Sequence, residues 1–582
     1  MTSQNTALNK PESLSPSTGA DAVIASLKQQ ETDLIFGMVG GQIMPVYDAL
    51  YRDGCIKHIT VGHEQGAAHM ADGFARATGR VGVVMTTSGP GATNLVTGLA
   101  TAMMDSMPML AFTGQVGSSF LGKDAFQEAD MWGITMPVTK HNYQVASAGE
   151  LPHVIAEAFY LALSGRPGPV LIDLPRDVIA NQCQNLLAVP QWPEGYQSPY
   201  EGNNLQILKA LDILRASKRP VILAGGGIIS AGACSELLAL AELLDIPVSS
   251  TLMGLGNFPR DHRLSLGMPG MHGGGAANLA IHNSDVLLCV GTRLDDRITG
   301  LLEGFAPNAQ LIHIDIDSSE LDKILPCAVA IEGDAKPVLQ SLYKGASAWE
   351  KRPDVESWLT RISDWQRRFP MGYREKDGIV APQRVVQELS GLMSDDDLVV
   401  TGVGQHQMYV AQYYPFKKPR TFISSGGLGT MGFGLPASLG AKLGKPEKNV
   451  VCIDGDGSFL MNIQELATAV RYRIPVVEVI LKNTYLGMVR QWQDLFYDKR
   501  LSQVQLETPP YHKVAESFGC RSRQVTRPEQ VKPGLEWALA TSRREKLPVV
   551  LEVIVDPDAM VLPMVPPGKK NAEFIPCDVE VK

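Results

Sequence analysis

The stretch Ile453–Asn483, IDGDGSFLMNIQELATAVRYRIPVVEVILKN, closes one short apolar run, 449–453, and contains a second, 475–481. Both are rich in β-branched residues, as strands are, and residues 462–473 between them have helical spacing. Gly455-Asp456-Gly457 reads as a turn leaving the first strand. A strand–helix–strand unit of this length crosses over right-handed and leaves its strands parallel, with their carboxyl ends on one edge of a sheet. Asp456 and Asn483, 27 positions apart, therefore converge. A carboxylate and an amide carbonyl are hard oxygen ligands, and Mg²⁺ takes only one or two protein carboxylates while phosphates fill out its octahedron. The glycines let backbone come close to such phosphates. The pattern points to a diphosphate–magnesium site. An ordinary Asp-Gly turn competes for GDG taken alone, and Asn483 at the end of the second strand weighs against it.

At 582 residues the chain exceeds what one hydrophobic core serves, so three domains are expected. Alternating strand and helix patterns predict an α/β protein with three parallel-sheet domains, at 19–185, 205–345 and 380–560. Flanking them are a polar N-terminal tail (1–18), a Pro- and Asn-rich linker (181–204), a charged connection (344–377) and a C-terminal stretch (561–582) without clear period. A net charge of −9 argues against a nucleic-acid surface. No apolar run reaches the length that crosses a bilayer, and the N-terminus lacks the apolar core of a secretory signal. The eight scattered cysteines form no CxxC pair, which suits thiols in a reducing compartment. A cytoplasmic protein is expected.

Two further features stand out on residue type. Glu64, in VGHEQGAAHMADGFARATG, follows a strand run and opens a helix of small residues; there a carboxylate stabilises the helix dipole by about 0.3–1 kcal/mol and needs no other role. Gly225-Gly226-Gly227 follows another strand, where it makes either a tight turn or a place for a dinucleotide phosphate against the backbone.

GDG, an interval of 27 residues and Asn resembles the cofactor motif of the thiamine-diphosphate-dependent 2-oxo acid enzymes. Matching runs extend from about 19 to 564 and are nearest to the catalytic large subunits of the acetohydroxyacid (acetolactate) synthase family. They include TTSGPGATN (86–94), DAFQEAD (124–130), TKHNY (139–143), SGRPGPV (164–170), LGMPGMHG (266–273), GTRLDDRITG (291–300), GVGQHQM (402–408), GTMGFGLPAS (429–438) and LGMVRQWQ (486–493). The resemblance implies a pyrimidine-binding first domain, a central FAD-binding domain and a diphosphate-binding third domain. It implies Mg²⁺ on Asp456, Asn483 and the backbone carbonyl of Tyr485. Thiamine diphosphate is expected against Gly404, Gln405, His406, Gly429, Gly455, Gly457 and Ser458, with Met431 under the bend of the cofactor. Glu64 is expected to hydrogen-bond the pyrimidine nitrogen and so activate the cofactor, Gln127 to lie near the reacting carbon with Phe126 lining the pocket, and Trp492 to shape the acceptor pocket beside Met488.

FAD, in a structural role, is expected at Arg166, Gly225, Gly226, Met268, His272, Gly291, Arg293, Asp295, Asp315 and Asp334. Arg297 is the candidate partner for the acceptor's carboxylate, since a guanidinium grips carboxylate with two hydrogen bonds; a structural pair with Asp296 is the competing reading. The implied activity decarboxylates pyruvate and joins the two-carbon unit to a second 2-oxo acid, pyruvate or 2-oxobutyrate, in branched-chain amino acid biosynthesis. A homodimer or homotetramer follows from the same resemblance, together with a possible small regulatory subunit.

The chain departs from the family pattern at several places. Lys482 stands where many members carry a first Asn, Gly117-Ser118-Ser119 where Pro and two Arg are common, Leu294 for Phe, Tyr409 for Trp and Val39 for Pro. Most of these surround the expected channel mouth and bear on acceptor preference. Pyruvate oxidase or a flavin-free catabolic acetolactate synthase would share Glu64, Asp456 and Asn483, whereas a non-catalytic dinucleotide-binding protein has no use for that trio.

Overall fold

The computed structural model describes residues 17–188, 196, 198, 200–577 and 579. Three six-stranded sheets follow one another along the chain. The first is built from β1 (Leu34–Gly37), β2 (Lys57–Thr60), β3 (Gly82–Thr86), β4 (Met109–Gln115), β5 (His141–Gln144) and β6 (Pro169–Pro175). The second comprises β7 (Pro220–Ala224), β8 (Val248–Ser250), β9 (Ser265–Gly267), β10 (Val286–Val290), β11 (Gln310–Asp315) and β12 (Val329–Glu332). The third comprises β13 (Leu398–Thr401), β14 (Phe422–Ile423), β15 (Val450–Gly455), β16 (Val477–Lys482), β17 (Arg521–Val525) and β18 (Val549–Ile554). All pairings within them are parallel. The expected α/β class with three parallel sheets is what the chain forms. Helices cover both faces, so central strands such as β4 and β6 are buried along their whole length, as parallel sheets require.

The strand order is β2-β1-β3-β4-β6-β5 in the first sheet and β14-β13-β15-β16-β18-β17 in the third, one topology used twice. The helices after the second strand of each, Glu64–Thr78 and Gly434–Gly444, pack against each other. They cross at two glycines: a Cβ on Gly73 would overlap the Ala437 carbonyl, and one on Gly440 the Met70 carbonyl. One hydrophobic core runs through both domains as a result, from Leu34 and Phe74 to Phe433 and Val550. The middle domain keeps its own cores.

Several expectations need correction. Asp456 is not in a plain turn: Gly455 ends β15 and Asp456 opens a five-residue helix, Asp456–Leu460, while the longer helix expected over 462–473 is confined to Glu465–Arg471. The charged connection 344–377 contains a helix, Glu356–Arg368, whose Trp358 and Ile362 are buried on the middle domain, with the Trp358 indole donating to the Pro220 carbonyl at 3.1 Å. Its apolar residues recur at helical spacing within a charged background. Of the expected tail 1–18, residues 1–16 lie outside the described residues, but Thr18 caps the helix Gly19–Gln29 through a capping box with Asp21. The linker 181–204 is described only in part.

The C-terminal stretch is folded over the molecule. Val561 and Met564 are buried, the Val565 backbone amide donates to the Met271 carbonyl at 2.7 Å, and the Asn571 side chain donates from Nδ2 to the Ile298 carbonyl at 2.8 Å. Among the described residues no helix is long and apolar enough to cross a membrane.

Candidate active site

The carboxyl ends of β13, β15 and β16 come together on one edge of the third sheet, where an open α/β sheet binds its ligands. Asp456 Oδ2 accepts the Thr484 amide at 2.8 Å, which sets the carboxylate beside the turn that carries Asn483. Asn483 Oδ1 accepts the Tyr485 amide at 2.9 Å, and its Nδ2 lies 3.5 Å from Gln405 Oε1. Burial pushes the Asp456 carboxyl above its ordinary value, against the Thr484 amide and the charge of Lys482. A buried carboxylate, one amide oxygen and backbone carbonyls fit a hard cation that takes its remaining ligands from phosphate. Among the described residues no cluster of three or more His, Cys, Asp or Glu could hold a metal by itself.

Gly404, with φ at 153°, opens the helix Gln405–Tyr413 and places Gln405 and His406 against this edge. His406 Nε2 lies 3.3 Å from Asp454 Oδ1, and a Cβ on Gly455 would meet the His406 ring. The Ser458 hydroxyl accepts the Gly432 amide at 3.1 Å and the Val403 amide at 3.4 Å, leaving its own proton uncommitted to either. The structure thus brings together Gly404, Gln405, His406, Gly455, Ser458, Asp456, Asn483 and Tyr485. Gly457 looks toward the tip of Met431.

Beside this edge opens a cavity of about 1600 Å³ walled by all three domains. Met431, Gly404, Gly429, Met488 and Trp492 line it from the third domain and Arg166 from the first. From the middle domain come Gly226, Met268, His272, Gly291, Arg293, Asp295, Asp315 and Asp334. Gly225 is not among the lining residues; a Cβ there would overlap the Gly291 carbonyl, so its lack of a side chain serves the packing of β7 on β10. Burial raises Asp315 to about 6 and lowers His272 to about 4, the latter helped by the Arg297 charge. His272 Nδ1 is buried without a partner, and glycine and arginine stand on the same wall, so the cavity fits a large, polar, flat-ringed ligand such as a dinucleotide. Arg166 crosses from the first domain to Asp317 at 3.1 Å and Glu320 at 2.7 Å.

Glu64 and Gln127 lie elsewhere. Glu64 is the first residue of its helix; its Oε2 accepts the Asn94 side chain at 2.9 Å, and Gly91 approaches its other oxygen. Gln127, with φ at 60°, sits on Gly89, and Phe126 beside it is 85% exposed. Neither Glu64 nor Gln127 lines the cavity of the same chain.

Comparison with known proteins matches residues 17–134, 207–342 and 402–553 to the N-terminal TPP-binding, central and C-terminal TPP-binding domains of thiamine pyrophosphate enzymes. The chain is 48% identical over 569 residues to the acetolactate synthase large subunit of Corynebacterium glutamicum, covering 96% of this chain and 90% of that one. It is 48% identical over 579 residues to the probable acetolactate synthase large subunit of Methanocaldococcus jannaschii (97% and 96%). It is 47% identical over 556 residues to the acetolactate synthase isozyme 3 large subunit of Escherichia coli (94% and 96%). The chain belongs to the acetolactate synthase large-subunit family of thiamine pyrophosphate enzymes. The cofactor of this synthase family is thiamine diphosphate, and the edge around Asp456 has the chemistry its diphosphate requires.

At the cavity mouth of this family member, the Arg297 guanidinium stands 5.9 Å from the centre of the Trp492 ring and 3.5 Å from Met271 Sδ. Its contact with Asp296, 3.8 Å between side chains that are 61% and 82% exposed, is too loose and too solvated to hold it.

Sequence reasoning missed the residues that hold these parts in place. Arg76, fully buried, pairs with Asp72 and with Asp105 (2.9 Å) and donates to the Ser424 carbonyl at 2.7 Å. Asp105 also accepts the Gly426 and Gly427 amides at 3.0 and 2.6 Å, which fixes the turn leading to Gly429 and Met431. Glu465 accepts the Gly62 and His63 amides at 3.1 and 3.0 Å, steadying the turn that presents Glu64. Only the Asp72–Arg76 pair, four residues apart on one helix, left a signal in the sequence.

Proposed function

We propose that this protein decarboxylates pyruvate and joins the two-carbon unit to a second pyruvate or to 2-oxobutyrate, giving 2-acetolactate or 2-aceto-2-hydroxybutyrate for branched-chain amino acid synthesis. The observation that carries the proposal is the convergence of Asp456 and Asn483 beside a cavity whose mouth is formed by Trp492 and Arg297. Near full-length likeness to acetolactate synthase large subunits supports the same reading.

Bound thiamine diphosphate supplies the carbon nucleophile and the electron sink for decarboxylation. Asp456, Asn483 and the Tyr485 carbonyl would hold Mg²⁺, whose charge the single carboxylate partly balances, while His406 and Ser458 would donate hydrogen bonds to diphosphate oxygens. Gln405 would do so from its backbone amide at the start of its helix, since its side chain donates to Gln491 and to the Ala559 carbonyl at 3.0 Å each. Glu64, kept in orientation by Asn94 and by the Glu465-bound turn, would hold a proton for the pyrimidine ring of the cofactor. Met431 and Trp492 exclude water from the reacting carbon, and Arg297 pairs with the carboxylate of the incoming 2-oxo acid. Arg166, Gly226, Met268, His272 and Asp334 would hold FAD in the cavity, in a structural role.

Glu64 and Gln127 stand apart from the cavity of their own chain, and the first domain exposes large apolar side chains, Val39, Met44, Phe120, Phe126 and Trp132 among them. This supports a homodimer in which each copy completes the other's site, with a tetramer or a small regulatory subunit built on that unit. Eight cysteines, all unpaired, suit work in the cytoplasm.

The test is an assay of purified protein with pyruvate alone and with 2-oxobutyrate added, omitting thiamine diphosphate, Mg²⁺ and FAD in turn. Acetolactate should form only with thiamine diphosphate and Mg²⁺ present. Release of CO₂ without acetolactate, or turnover that needs an electron acceptor, would replace the synthase reading with a decarboxylase or an oxidase.

A further inference from the structure

Lys482, the last residue of β16, directly precedes the proposed ligand Asn483, and successive strand side chains point to opposite faces. Its ammonium group, almost fully buried, donates to the Pro509 carbonyl at 2.7 Å and the Thr508 carbonyl at 3.3 Å, pairs with Glu552 at 3.1 Å, and stands 5.2 Å from the centre of the Tyr511 ring. Glu552, on β18 and fully buried, also accepts the Tyr511 amide at 3.1 Å, the His512 ring and the Gln524 side chain at 3.1 Å. Lys482 and Glu552 together fix where the 508–512 segment lies and how the helix Tyr511–Phe518 begins.

That segment returns to the metal edge. The Tyr511 hydroxyl, on a ring packed edge-on against Phe459, donates to the Asp456 backbone carbonyl at 2.6 Å. The Thr508 hydroxyl lies 3.4 Å from Asp456 Oδ2. Asp456 and Asn483 follow the ends of different strands, and the Thr484 amide, bonded to the Asp456 carboxylate, links them directly. Lys482 adds a second link: it is bonded through the backbone to Asn483, and through its ammonium to the segment that holds Asp456 from below.

We propose that Lys482, acting with Glu552 through Tyr511, is a positioning residue that sets the spacing of Asp456 and Asn483 for Mg²⁺. This rests on the reading of those two residues as metal ligands. A brace behind the ligands shifts metal affinity by about 10–100-fold in other metal sites, because ligands that must move into place bind more weakly. It does so without touching substrate, so the effect belongs in cofactor assembly.

The measurement is the Mg²⁺ concentration that half-saturates thiamine diphosphate binding, followed by quenching of protein fluorescence, with melting temperatures of the cofactor-free proteins recorded beside it. K482M leaves the buried Glu552 without its lysine counter-charge and can unfold the chain, so the deciding variant is K482M/E552Q, in which both charges go together. It is expected to melt near the parent without cofactors and to need at least ~10-fold more Mg²⁺. Y511F, which removes one hydroxyl and leaves the ion pair intact, should shift the same value several-fold in the same direction. A double variant that folds and keeps the parent's Mg²⁺ requirement overturns the proposal. So does a loss of cofactor-free stability with no change in Mg²⁺ requirement, which would make the network structural only. D456N separates the two readings: if it too retains the parent's Mg²⁺ requirement, the metal assignment itself fails, and the positioning role with it.

Discussion

The first and third domains have one strand order and meet through equivalent helices, yet they carry opposite chemistry at the same sheet edge. In the third, β15 ends on Asp454-Gly455 and Asp456-Gly457 open the helix that follows, while Asn483 comes directly after β16. In the first, the turn after β3 reads Thr87-Ser88-Gly89-Pro90, and β4 ends on Gln115, whose side chain is committed to the Ala129 carbonyl (2.7 Å) and Asp173 (3.0 Å). These two strand ends of the first sheet therefore offer no carboxylate for a cation, and the first domain presents Glu64 from the helix after β2 instead. The fold decides where a ligand can sit; residue types at the strand ends decide whether it meets a metal or a proton donor.

Glu64→Gln tests the sharpest part of that contrast. If the first domain contributes proton handling rather than charge, kcat should fall about 10²–10⁴-fold with cofactor binding and melting temperature little changed; a loss below tenfold would assign Glu64 to helix stabilisation. The crossing between the two domains comes next. Gly440→Ala places a methyl against the immovable Met70 carbonyl and should cost about 1–3 kcal/mol or more in denaturant unfolding. Gly41→Ala, where nothing stands within 4 Å, should be near neutral. Arg297→Ala, away from both equivalent edges, should raise the KM for the acceptor about tenfold and leave the Mg²⁺ requirement alone; an unchanged KM removes Arg297 from substrate binding.

A contrast in pH dependence compares one buried carboxyl in each sheet. Asp173 in β6 receives Thr113, Gln115 and Gln144, and burial raises it to about 6. Glu478 in β16 has Ser438 at 2.7 Å and one oxygen without a partner, and burial raises it to about 8. In both, the native state binds the proton more tightly than the unfolded chain, so stability falls as pH rises from the ordinary value to the raised one. Between pH 6 and 8 Glu478 supplies the slope and Asp173 does not. Glu478→Gln should flatten stability across that interval, measured by denaturant melts at fixed pH, while Asp173→Asn should change only the slope below pH 6.

The convergence of Asp456 and Asn483 in the third domain was legible because each follows the end of an apolar strand with only short helices between them, a pattern local enough to read directly. The sheet edges were less so: β5, with His141 and Gln144 exposed, lacks the apolar run of a central strand, and β9 and β12 are three and four residues long. The helix Glu356–Arg368 was hidden because its charged residues outnumber the few that meet the core. Asp105 and Glu465 could not be found at all, since what makes them matter is contact with Gly426 and Gly62, more than three hundred residues away in the chain. A side chain that holds another in place carries no spacing signature of its own.

The reciprocal crossing of Gly73 and Gly440 also says something about time. The helix Glu64–Thr78 is buried almost throughout, but much of its cover comes from residues beyond 430. As the chain leaves the ribosome, the middle domain can close on its own cores while that helix still shows Met70 and Phe74 to water. The stretch of synthesis between the second and third sheets is thus an interval in which part of the first domain's apolar surface waits for its cover.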